Sequence, residues 1–106
     1  VDTQKILRKA IPAAEAKIRP EFDTMLRQSG WPAAVRDKIN LVVTEDSIGV
    51  VWPSELNKKV DDLEYGTVGK TPTHLMRRID EYVDSVVGEE ISKATLAIMF
   101  SGYMPV

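Results

Sequence analysis

From Thr3 to Gln28 the apolar residues Leu7, Ile11, Ala14, Ile18, Phe22 and Met25 return every three or four positions, a spacing that lays them along one stripe of a helix. Lys5, Arg8, Lys9, Glu15, Lys17, Arg19 and Glu21 fall mostly elsewhere and are expected to face water. Pro12 and Pro20 each remove an N–H and push the preceding residue away from helical angles. The pattern therefore predicts a kinked helix or two collinear pieces, jointed at Pro12 and Pro20 and stopped by Gly30. WPAAVRDK adds a short helical turn with Pro32 at the first helical position, where its missing donor is harmless. In INLVVTEDSIGVVWP two β-branched runs, residues 39–44 and 48–52, flank Glu45-Asp46-Ser47 and read as a hairpin. Both runs are nearly continuously apolar, which predicts cover on both faces of the ribbon.

SELNKKVDDLEY predicts a short helix capped by Ser54, with Leu56, Val60 and Leu63 on one side. After the loop EYGTVGKTP, Thr71 reads as an N-cap and Pro72 as the first helical residue of the longest periodic segment. Leu75, Ile79, Tyr82, Val86, Val87, Ile91, Ala94, Ile98 and Met99 form its stripe, ending near Phe100 before Gly102 and Pro105. Gly88, which costs roughly 1 kcal/mol relative to alanine, marks a bend or a close crossing. Helix, short helix, hairpin, short helix, long helix is an α+β order, with no repeat and no linker. A lone two-stranded hairpin is marginal, so its strands need either the long helices or strands of neighbouring copies.

Composition narrows the picture. The 106 residues suit one domain, residues 1–106, with one modest core. With 43% hydrophobic and 28% charged residues the chain reads as soluble and globular, and a net charge of −2 gives no basic footprint for nucleic acid. No apolar run approaches a membrane span, and VDTQKILRKA lacks the apolar segment of a signal peptide. The absence of cysteine excludes disulfides and thiolate metal sites, and fits the cytoplasm.

Candidate chemistry is sparse. Gly69-Lys70-Thr71 ends like a phosphate-binding loop, but the first glycine of that motif is replaced by Glu64, whose carboxylate would repel phosphate. His74, the sole histidine, has no second imidazole or spaced carboxylates to share a metal with. Asp61, Asp62 and Glu64 cluster without calcium-loop spacing. Ser29-Gly30 and Ser101-Gly102 lack the nucleophile-elbow pattern. Arg77 and Arg78 are placed to pair with Glu64 or Asp80, or with a carboxylate on another copy. Trp31 and Trp52, each before a proline, suit a core edge. The residues predict no catalytic, cofactor-binding or metal site, and no enzyme activity.

Read as a unit, LEYGTVGKTPTHLMRRI resembles the E-Y-G-T…P…L-R signature of the small neck or tail-completion proteins of long-tailed bacteriophages. In that family a long helix, a short helix and a β-ribbon precede the Glu-Tyr-Gly-Thr loop, and a proline-started helix carrying an arginine follows it. This chain has that order over nearly its whole length, with Glu64, Tyr65, Gly66 and Thr67, then Pro72, then Arg77 or Arg78. Thr73 and His74 stand where apolar residues are often found, a departure that bears on subtype. The resemblance implies a homo-oligomeric ring, usually a hexamer, in the virion neck, assembled in the host cytoplasm. Its partners would be the head-closure or connector protein and the tail terminator or tail tube protein. DNA would pass through the lumen without specific binding, and neither cofactor, catalysis nor membrane is implied.

Gly66 allows a tight turn that presents Glu64 and Tyr65 at a fixed angle, and a tyrosine suits the centre of an interface. Glu64 and Tyr65 are therefore expected to contact an adjacent subunit, with Arg77 or Arg78 as partner. A head-to-tail contact repeated six times closes a ring and gives the hairpin strands from its neighbours. Two other readings are a tail terminator capping the tube and, from a different class, a small cytoplasmic adaptor whose last helix grips a partner helix.

Overall fold

A computed structural model describes residues 2–101, the last of them by its backbone alone. The chain is α+β: helix α1 (Thr3–Gln28), a one-turn helix α2 (Ala33–Arg36), strands β1 (Asn40–Val43) and β2 (Ile48–Val51), helix α3 (Asn57–Tyr65) and helix α4 (Leu75–Ser101). A 3₁₀ turn at Ser54–Leu56 leads into α3. Among the described residues no helix is long and apolar enough to cross a membrane. Residues 102–106, including the expected helix stops at Gly102 and Pro105, lie outside the described residues.

α1 and α4 pack antiparallel. Trp31, just past α1, donates its Nε1–H to Thr73 just before α4 (3.0 Å), while Lys17 meets Glu90 (2.7 Å) in the middle. Lys5, Arg8 and Lys9 share a groove with Ala97 and Ile98 at the far end. The seam between them is built from the predicted stripes: Ala14, Ile18 and Phe22 on α1, Leu75, Ile79 and Val86 on α4. Full burial of a side chain such as Ile18 contributes roughly 1.5–3 kcal/mol. Val83, missed by the stripe, is buried with them, whereas Met99 is exposed.

α1 runs through both prolines as one helix, not as two collinear pieces. Both rings sit on the solvent side, so neither ring disturbs the buried seam of the helix. Asp2 caps the helix by accepting from the Gln4 N–H at 3.0 Å. Ser54 makes no side-chain cap, because the 3₁₀ turn intervenes before α3 begins at Asn57. Nothing lies within 4 Å of a Cβ built on Gly88, so that residue marks no close crossing.

The hairpin is antiparallel, with Asn40 opposite Val51 and Val43 opposite Ile48. Its turn is held by Thr44, whose N–H donates to Ser47 O (2.9 Å) and whose Oγ1 accepts from Ser47 N–H (3.1 Å). Leu41, Val43, Ile48 and Val50 lean on the helices, β1 over α1 and β2 over α4. The other face is open: Val42 and Val51 are 40% and 47% exposed. The expected cover on both faces is thus absent within the described chain, because two helices fill only one side of a two-stranded ribbon.

Candidate functional site

The loop between α3 and α4 is built around one carboxylate. Glu64, in the last turn of α3, is only 3% exposed. It accepts the backbone N–H of Met76 at 2.7 Å through Oε1 and that of Arg77 at 2.8 Å through Oε2. Those are unpaired donors of the first turn of α4, where the helix dipole also favours a negative charge. The backbone continues the bond: Thr73 N–H donates to Leu63 O and His74 N–H to Glu64 O. Thr73 Oγ1 donates to Leu63 O (2.7 Å) and accepts from Trp31 Nε1 (3.0 Å), so the segment just past α1, the end of α3 and the entry to α4 meet at one knot.

Gly66 ends α3 at φ 84°, ψ 167°. A Cβ there would stand 2.8 Å from Lys70 O and 2.9 Å from Pro72 N, so no other residue fits without moving backbone. Thr67 and Lys70 bridge across a two-residue turn, with Gly69 at φ 84°. On this frame Tyr65 is 68% exposed and Val68 fully exposed, and Tyr65 meets the His74 ring edge-on at 6.3 Å.

The residues singled out from the sequence thus separate. Glu64 does not offer its carboxylate to a neighbour, since it is buried and spent on α4; that expectation is corrected. Tyr65, Thr67 and Pro72 are exposed beside Gly66. Arg77 and Arg78 are exposed, and Arg77 Nε reaches Glu81 at 4.0 Å rather than Glu64. α4 starts at Leu75, not at Thr71-Pro72, because the N–H groups of Thr73 and His74 are tied back to the end of α3 and His74 adopts φ 50°. Lys70-Thr71 therefore opens no helix, and the α4 N–H groups that a phosphate would want are taken by Glu64.

Asp61 is exposed and Asp62 pairs with Lys58 at 3.3 Å. Among the described residues no group of three or more His, Asp or Glu is arranged to hold a metal ion. Partial burial, then Asp84 and Glu64, push the Asp80 carboxyl above the usual range. Lys17 does the reverse to Glu90, whose carboxyl is held below it by their hydrogen bond. Nothing in the local sequence marked Glu64 or Glu90 as buried; their partners lie on segments far along the chain.

A second surface is the outer edge of β1. Thr44 and Ser47 form a hydrogen-bonded pair, so by alternation the N–H and C=O groups of Val42 and Asn40 point at β2. Those of Leu41 and Val43 point outward, as do those of Ile48 and Val50 on the far edge of β2. Two depressions, of about 620 and 340 Å³, follow the β1 edge and are lined by α1, the α2–β1 segment and the hairpin turn, with no residue of β2. Phe22, Leu26 and Leu41 line the wide end; Leu7, Ile11 and Val43 line the narrow one. Arg27, Arg36, Asp23 and Asp37 rim the wide end, and Arg36 Nε is buried with no acceptor. No protein-family model, curated protein or solved structure matches this chain.

Proposed function

We propose that this chain is a structural protein of a long-tailed phage virion that forms a ring in the neck, joining the head connector to the tail tube and letting DNA pass. The observation that carries the reading is the unfinished sheet: two strands, both outer edges open, laid over two helices. The Glu-Tyr-Gly-Thr loop, the arginines after it and the order of elements add the family resemblance.

The shape favours a ring. Two strands make a narrower layer than two helices, so each copy tapers toward its ribbon. Tapered copies joined by one repeated head-to-tail contact close into a ring, whose size of six comes from the resemblance. The open ribbon face would then turn inward. It presents Asn40, Val42, Gly49 and Val51, none of them charged, and so offers DNA no lysine or arginine to hold its phosphates. Tyr65 and Val68, on their rigid turn, would meet a protein above or below.

Native mass spectrometry of the chain tests the ring, and imaging of virion necks places it. A hexamer located between connector and tube supports the reading; a persistent monomer absent from virions overturns it. The tail-terminator reading shares the ring and differs in position, at the tube's end. An adaptor would need the apolar stripe of α4, most of which is already buried against α1.

A further inference from the structure

The next step rests on the ring reading and concerns how two copies meet. A second copy's β2 laid antiparallel on β1 bonds only where outward groups face each other. With Leu41 opposite that copy's Val50 and Val43 opposite its Ile48, both residues on each edge are satisfied. A shift by one residue sets inward groups against outward ones and makes none; a shift by two leaves a single pair within the strands.

In that register the second copy's Val51 lies beside Asn40, at the wide end of the trench. The chain then continues through Trp52 and Pro53 into the turn that carries Glu55, four residues past Val51, while Arg36 ends α2 four residues before Asn40. Glu55 is exposed and makes no ion pair with any described residue. Arg36 has a buried Nε without an acceptor, and neither Asp23 nor Asp37 on the same rim lies within ion-pair distance of it. A buried N–H without an acceptor is costly, and the planar fork of a half-buried arginine takes a carboxylate well.

We propose that Glu55 of one copy enters the wide end of the next copy's trench and pairs with Arg36, fixing the register of β1 against the neighbouring β2. The contact is heterologous: each copy gives Glu55 on one side and receives it on the other, so the same pair repeats around the ring.

Charge reversal tests this. Glu55→Arg alone and Arg36→Glu alone each place like charges together, and each should raise the concentration for half-assembly by about tenfold or more. An equimolar mixture should assemble again, because alternating copies restore opposite charges at every contact. Circular dichroism checks that each variant folds. Should Arg36→Glu fail to fold, the absence of native cysteine supplies a second route. Arg36→Cys mixed with Glu55→Cys should give covalent dimers with a short bis-maleimide, and neither alone should. Wild-type rings with variants that assemble unchanged, or with no cross-link in the mixture, overturn the pairing and leave the ring standing. A wild-type chain monomeric at every concentration overturns the ring and the pairing with it.

Discussion

Glu64 spans 12 and 13 residues to reach Met76 and Arg77, and replacing it with alanine removes two charge-assisted hydrogen bonds from buried or half-buried donors. Glu64→Ala should lower unfolding free energy by about 1–3 kcal/mol, read from urea titrations, with glutamine intermediate. Gly66→Ala should cost at least as much as a strained backbone residue, about 1–3 kcal/mol, since its Cβ would collide with backbone. Asp80 works in the opposite sense. Its folded pKa is raised, so its ionised form weakens the fold as pH climbs through the ordinary aspartate range and above. Asp80→Asn should therefore raise the melting temperature at neutral pH, an advantage that disappears below about pH 3. Glu90 has a lowered pKa, so the stability it contributes is present at neutral pH and lost as acid protonates it; Lys17→Met should flatten that part of the acid slope. The sequence made Gly66 legible as a special turn residue. It could not show that Glu64 looks inward, because a carboxylate beside Asp61 and Asp62 reads as one more wet acid until the start of α4 is brought against it.

At the level of elements, periodicity located both long helices, since burial on one stripe leaves a 3.6-residue mark that survives two prolines. What periodicity does not carry is how a helix copes with a missing donor. Pro12 and Pro20 face water, and substituting each by alanine restores one N–H to the i−4 carbonyl; helix propensity sets an upper bound of about 3 kcal/mol on the gain. Gly88→Ala is the cleaner experiment: the site is exposed, helical and empty around the absent Cβ, so about 1 kcal/mol of added stability is expected in thermal or urea unfolding. The hairpin was readable from its β-branched runs, but its open face was not, because an uncovered valine and a covered one are written with the same letter. The start of α4 was misplaced for a related reason. Thr71-Pro72 is a sound local start signal, and a cap donated by Glu64 from another helix overrode it.

For the whole molecule, the 64 × 22 × 19 Å dimensions reflect two long helices lying side by side with a short ribbon along them. The element order, and hence the α+β class, was present in the sequence, as was a hairpin without a third strand; which of its faces the helices cover was not. Val42→Glu and Val51→Glu would put like charges around the narrow side of the proposed ring. Ring formation should weaken as salt is lowered, an effect that light scattering across a salt series would show and that the wild type should lack. Tyr65→Ala should leave ring formation intact and reduce attachment of the ring to the protein stacked on it, measured by co-sedimentation.

Because Glu64, Thr73 and Trp31 bind the last turn of α3, the first turn of α4 and the end of α1 together, no hinge separates Tyr65 from α4. A load applied to that tyrosine is handed to a 27-residue helix, about 40 Å long. The tyrosine and the helix therefore sit on one frame, whereas a soft loop in the same place would let them move apart.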